Sequence, residues 1–153
     1  MSDIDDYQAQ LNYFLVKVFN EILRIEEDCL KTGEFKNLSV REMHVIEAVC
    51  DAEAQGGGNR SSDIAQALSI CAGTLTTEVA VLERKGCIER RQDTKDRRIV
   101  RLYATDKGKR ANETHQEFHR KMVSDVLDAL TQDEADSLVK GLKSLVGFFN
   151  KSK

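Results

Sequence analysis

Three observations predict a mainly α-helical chain with one small β-hairpin wing. Apolar residues recur every three or four positions over most of the 153 residues, the mark of amphipathic helices. That pattern breaks at Gly86, after which Ile88 to Arg91 and Ile99 to Tyr103 carry β-branched or aromatic members on either side of a charged tip. Proline is absent and 32% of the chain is charged, which favours long, solvated, unbroken helices. Two short helices joined by a three-residue turn and followed by a hairpin follow the plan of a winged helix-turn-helix. The expected fold is therefore a winged helix-turn-helix with long N- and C-terminal dimerisation helices.

The elements follow in order. Ile4, Tyr7, Leu11, Phe14, Val18, Ile22, Ile25 and Cys29 step along one helix face, widened by Leu15 and Phe19 and opened by Asp3 as a cap. A helix of roughly 26 residues is about 39 Å long, too long for one small domain to cover, so part of its stripe is expected to meet a partner chain. Ser39 and Glu42 make a capping box for a second helix with Met43, Ile46, Val49 and Cys50 inward. Gly56, Gly57 and Gly58 mark a loop, and Ser61, Ser62 and Asp63 offer caps for a short third helix holding Ile64, Ala65 and Leu68.

Ser69, Ile70 and Cys71 form the turn into a fourth helix, whose Ala72, Leu75, Val79 and Leu82 share one face. The opposite face offers the small Gly73, Thr74 and Thr77, suited to close approach. Arg84, Lys85 and Gly86 then supply a cationic last turn and a glycine stop. After the hairpin, Thr105 and Asp106 open a fifth helix with Ala111, His115, Phe118, Met122, Val126 and Ala129 as its stripe. Thr131 and Glu134 box a sixth, lined by Ala135, Leu138, Leu142, Leu145 and Phe149. The expected organisation is a single domain, 1–153, with the DNA-binding part at 39–104 and dimerisation helices at 3–31 and 105–150.

Charge sorts the chain more sharply than hydropathy. Between Arg84 and Arg110 stand 11 Lys or Arg against 4 acids, a local net of +7 in a chain whose total is −3. A positive island on an acidic body suits a polyanion, because neutralised phosphates release counterions. A charge run by itself is commonly just a solvated face; following a helix-turn-helix pattern, it points to double-stranded DNA.

Other classes find little support. No apolar run of 18 residues occurs and the start MSDIDDYQ is acidic, which argues against a membrane span or signal peptide and for a cytoplasmic protein. Cys29, Cys50, Cys71 and Cys87 lack the paired spacing of a zinc ribbon or redox dithiol, and in a cytosolic chain are expected to be reduced. Cys29 as a redox sensor is disfavoured by its acidic neighbours Glu26, Glu27 and Asp28, since a reactive thiolate is favoured by positive surroundings. An enzyme is not expected: the nucleophile-elbow, phosphate-loop and dinucleotide motifs are absent, and in the HQEFH run of His115 to His119 the acid is Glu117 rather than residue 116.

The helix order, the segment GTLTTEVAVLERKGCIER and the segment DTKDRRIVRLYATDKGK with its aspartate-arginine wing tip resemble the MarR family of bacterial transcription factors over nearly the whole length. LSVREMHVIEAV and FHRKMV add a narrower likeness to the repressors of fatty-acid synthesis in Firmicutes. The resemblance implies that Ala72, Thr74 and Thr77 face base edges, with Thr76 near a phosphate. It also implies that Arg98 enters the minor groove, held by Asp96, while Arg97 faces phosphate. Threonine can meet either donors or acceptors, and its methyl can meet thymine; a narrow AT-rich minor groove favours an inserted guanidinium.

The narrower likeness implies a long-chain acyl group, delivered on acyl carrier protein, as corepressor. Phe14, Val18, Ile22, Met43, Phe118 and Met122 are the candidate liners of an effector pocket, against the plainer reading of such a stripe as core. Zinc-uptake repressors of the same family hold zinc with one glutamate and three histidines, and Glu26, His44, His115 and His119 stand in similar positions. That set has donors suited to zinc, whereas the competing reading is a hydrogen-bonded polar network between helices. The expected function is a homodimeric repressor on a pseudo-palindromic operator, its affinity set by an effector. A zinc-responsive regulator and a helical protein-protein adaptor without DNA binding are the alternatives.

Overall fold

The computed structural model describes residues 3–151, with the side chains of Asp3 and Asp5 outside the described set. Its elements run α1 (Asp3–Thr32), α2 (Val40–Gln55), α3 (Ser61–Ala67), α4 (Ala72–Arg84), β1 (Ile88–Gln92), β2 (Val100–Ala104), α5 (Asp106–Asp128) and α6 (Gln132–Lys151). Packing divides the chain into two compact units, one ending at His115 and one beginning at Gln116. Among the described residues no single helix is long and apolar enough to cross a membrane.

The first unit is built on one apolar core. Met43, Ile46 and Val49 of α2, Ile64 of α3, Leu75, Val79 and Leu82 of α4, and Leu102 of β2 are all buried in it. These are the positions at which the helical stripes face one another, and burying each large aliphatic side chain is worth about 1.5–3 kcal/mol. The expected box at α2 is present: Ser39 Oγ accepts from Glu42 N at 3.2 Å and Glu42 Oε2 accepts from Ser39 N at 3.0 Å. Glu42 also receives Lys85 Nζ at 2.6 Å, tying the start of α2 to the end of α4.

Two expectations about caps need correction. The cap of α3 is Arg60, which makes no side-chain cap bond, and Ser61 is the first helical residue, so none of Ser61, Ser62 and Asp63 is the cap. Arg60 pairs as an isolated bridge with Arg101, and that long-range pairing fixes where the helix begins. The proposed cap at Asp3 concerns a side chain outside the described residues.

Gly86 ends α4 in the left-handed region at φ 74°, where its lack of a Cβ removes the steric penalty. Its N–H bonds Glu83 O at 3.0 Å, and Cys87 N bonds Leu82 O at 2.9 Å. The chain then forms an antiparallel hairpin with Ile88 opposite Ala104 and Gln92 opposite Val100. Thr105 closes it: its Oγ1 donates to Gly86 O at 2.6 Å and accepts from Gly108 N at 3.1 Å, capping α5.

The apolar stripe of α1 is open to solvent. Tyr7 is 75% exposed, and Leu11, Phe14, Val18 and Phe19 all exceed half exposure. In the second unit the box of α6 forms, with Thr131 Oγ1 accepting from Glu134 N and Glu134 Oε2 from Thr131 N. Ala135 is buried there, while Leu138, Leu142 and Phe149 stay exposed.

Candidate nucleic-acid interface

On α4 the apolar and small-residue faces separate as their spacing requires. Leu75, Val79 and Leu82 are buried, whereas Ala72, Gly73, Thr76 and Thr77 are exposed and Thr74 is half-buried. The threonine hydroxyls are already engaged: Thr76 Oγ1 donates to Ala72 O at 2.9 Å and Thr77 Oγ1 to Gly73 O at 3.1 Å. A hydroxyl that gives its proton to its own helix has only lone pairs left, so in this rotamer Thr76 and Thr77 present acceptors and methyls.

The helix begins with a feature that the sequence did not suggest. Cys71 is the N-cap, exposed, with its Sγ accepting from Thr74 N at 3.4 Å and lying 3.0 Å from Thr74 Oγ1. The Thr74 hydroxyl is the main reason that its thiol pKa is lowered from the ordinary value, because both interactions favour the thiolate. Burial acts oppositely on Cys50, pushed up to about 11.

The wing tip is ordered by its own acids. Arg98 is 91% exposed, yet its Nε and Nη2 donate to Asp96 Oδ1 and Oδ2, both at 3.0 Å, and its backbone N donates to Oδ1 at 3.0 Å. This two-pronged grip fixes the plane of an outward guanidinium, and it is the principal cause lowering the Asp96 carboxyl below its usual range. Arg97 beside it is exposed.

Asp93, which the sequence marks only as part of the tip, is a second centre. Its Oδ1 receives Arg101 Nε at 2.7 Å and its Oδ2 receives the backbone N–H groups of Lys95 and Asp96 at 3.1 Å each. Foremost through Arg101, these hold its pKa at about 2. The same bonds show that the positive island is less free than its charge implies. Arg90 pairs with Glu83, Arg91 pairs with Glu89 and lies 4.6 Å from the centre of the Tyr103 ring, and Arg101 is committed to Asp93.

Within the first unit, Glu26, His44 and His115 of the metal candidates come together. Glu26 is only 4% exposed, with its Oε1 3.5 Å from His44 Nε2 and 4.0 Å from His115 Nε2. His115 Nε2 also lies 3.7 Å from Glu47 Oε2, an acid that no sequence signal singled out. Tetrahedral zinc ligands at about 2.1 Å stand roughly 3.4 Å apart, so the Glu26–His44 separation fits such a set and the Glu26–His115 separation is wider. His119 lies one helical turn further along α5, in the second unit.

The pocket candidates are not alike. Met43 is 1% exposed and belongs to the buried core together with Ile46 and Leu75. Phe14 and Val18 are exposed on α1, Ile22 is half-buried, and Phe118 and Met122 are half-buried residues of the second unit. A cleft of about 690 Å³ opens elsewhere, on α2 and α3, lined by His44, Glu47, Asp51, Asp63, Ile64 and Leu68 among others.

A helix faced with small and hydroxylated side chains, followed by a hairpin carrying a braced exposed arginine, defines a winged helix-turn-helix protein that binds DNA. The model of the MarR family matches residues 49–100. The structure is similar to FabT of Streptococcus pneumoniae solved in complex with DNA, with TM-score 0.88 and 36% identity, covering 96% of this chain and 99% of that one. It also shares its fold with the Staphylococcus aureus MepR–DNA complex, at TM-score 0.76, 19% identity and coverage of 91% and 97%. The uncharacterised regulator YkoM of Bacillus subtilis is 27% identical over 130 residues, 84% of this chain and 82% of that protein.

The chain belongs to the MarR family. It is a DNA-binding transcriptional regulator and not an enzyme, and the adaptor without DNA binding is set aside.

Proposed function

We propose that this regulator is a homodimeric repressor. Residues 39–104 bind the operator, while helices within 3–31 and 105–150 pair two copies. Ala72, Thr74 and Thr77 meet base edges, Thr76 and Arg97 approach phosphate, and Arg98 enters the minor groove. The observation that carries this reading is the 91% exposed Arg98 guanidinium held along one edge by both carboxylate oxygens of Asp96, a cation pre-oriented and open to solvent. The exposed stripe of α1 supports pairing, since a contiguous apolar face of this kind marks an interaction surface.

A twofold dimer would place two α4 helices in successive major grooves about 34 Å apart. An effector then changes affinity only through its preference for one dimer state. The likeness of the segments LSVREMHVIEAV and FHRKMV to the repressors of fatty-acid synthesis in Firmicutes supports a long-chain acyl group carried on acyl carrier protein as that effector, acting as corepressor.

The test is a mobility shift with a duplex selected by the wild-type protein from a random pool. Arg98→Ala is expected to weaken binding by about 1–3 kcal/mol, the usual cost of removing a groove-reading arginine, with the dimer intact by sedimentation. Unchanged retardation would remove the wing assignment.

A zinc-responsive regulator is the second reading, favoured by the buried Glu26 carboxylate facing His44 and His115. Zinc, if held there, would supply a positive centre drawing α1, α2 and α5 together. Equilibrium dialysis followed by elemental analysis tests it: no retained zinc, with wild type and His115→Ala alike, would discard the site.

A further inference from the structure

Arg101 is one of the basic residues of the positive island, but it faces inward. Its side chain is 21% exposed and that of Asp93 15%. Besides Asp93, its guanidinium reaches Asn59 Oδ1 at 3.1 Å and Gly57 O at 3.3 Å through Nη1. Asn59 is itself clamped to the outer edge of the hairpin: its Nδ2 donates to Leu102 O at 3.0 Å, and Leu102 N donates to Asn59 O at 2.9 Å. An isolated two-stranded ribbon is marginal in water, so these bonds from the loop before α3, with the Ala104 N–H held by Glu53 Oε1 at 2.6 Å, help to hold the wing against the head.

From Arg101 the bonding continues outward without a gap. Arg101 holds Asp93; Asp93 accepts the Asp96 N–H at 3.1 Å; Asp96 holds Arg98. A chain of charge-assisted hydrogen bonds therefore joins the loop of the head to the outermost guanidinium of the wing, and each link is stronger than its neutral equivalent.

We infer that Asp93 and Arg101 are positioning residues for DNA binding, which set the reach of Arg98 from the Asn59 loop, and that Arg101 does not itself touch phosphate. The inference rests on the wing reading given under Proposed function. It makes a counterintuitive claim, that an acid on a DNA-facing hairpin strengthens binding to a polyanion. Charge alone demands the reverse, since removing a negative group near phosphate should tighten binding.

Asp93→Asn keeps the shape and an acceptor for the tip but removes the charge that holds Arg101. Fluorescence anisotropy on a duplex selected by the wild-type protein, at a temperature well below the melting points of both proteins, should show binding weakened by about five- to tenfold, the low end for disturbing a groove-reading arginine. In an Arg98→Ala background the same substitution should cause no weakening, because its effect passes through Arg98. A loss of stability alone would not vanish in that background.

Arg101→Gln provides a second cycle, with its effect likewise expected to disappear when Arg98 is absent. Equal or tighter binding by Asp93→Asn, or undiminished weakening in the Arg98→Ala background, would overturn the inference. If Arg98→Ala alone left binding unchanged, the wing reading would fall instead, and the two failures are distinguished by that single variant.

Discussion

Gly108 shows how much one residue can decide. A Cβ placed there would stand 2.2 Å from the backbone oxygen of Cys87, and backbone cannot swing away as a side chain can. Gly108→Ala should cost about 3 kcal/mol, at the upper end of ordinary overpacking, measurable as a lower urea midpoint at constant m-value. Asp93 gives a pH prediction with a definite sign. Its folded pKa of about 2 lies below its ordinary value, so its contribution is complete above roughly pH 4, the unfolded pKa, and is lost as pH falls toward 2. Between pH 5 and 8 the wing bonds it makes should not titrate, as carboxyl chemical shifts would report. At Cys71 the lowered thiol pKa and the exposure of the sulfur predict faster alkylation by iodoacetamide than at Cys50, where burial raises the pKa to about 11; peptide mapping after partial labelling checks the order. Asp96 and Arg98 could be recognised from the wing motif. Glu47 and Asp93 could not be, because a half-buried acid and an inward arginine partner depend on how other segments pack, and Cys71 could not because cysteine is not among the usual cap residues.

The helices and the hairpin were legible element by element because their signals are local. Spacing located the buried faces of α2 and α4, and serine or threonine with glutamate three residues on located the starts of α2 and α6. The start of α3 was not legible for the opposite reason. Three consecutive cap-forming residues leave its register open locally, and it is the pairing of Arg60 with Arg101 that chooses. Charge was misleading within the wing, since a count cannot tell the exposed Arg98 from the inward Arg101. At this scale the capping box of α2 supplies a prediction. Ser39→Ala should cost about 1 kcal/mol, the ordinary value for a removed cap. Glu42→Ala should cost more, about 3 kcal/mol, because it also takes the counter-charge from the mostly buried Lys85 ammonium, leaving it the Asn37 carbonyl. Equal destabilisation on thermal melting would show that the Lys85 bond adds nothing.

At the scale of the whole molecule, a net charge of −3 hides a segment of +7, and the core of the first unit leaves the apolar stripe of α1 uncovered, as that of α6 is in the second. Both features make sense together if two copies pair through those faces and present two wings to one duplex. The sequence predicts a first helix of roughly 26 residues, and α1 is longer, at 30. The metal and effector readings were less legible, since the proposed residues differ in burial and Met43 belongs to the core. Sedimentation at micromolar concentration should give twice the chain mass of 17.3 kDa. The most direct test of the central claim is the salt dependence of duplex binding for wild type and Arg97→Ala. The slope of log K against log salt should fall in magnitude by about 2 in the variant, close to 0.9 for each of the two phosphates that the paired wings of a dimer would no longer neutralise. An identical slope in the two proteins would contradict it.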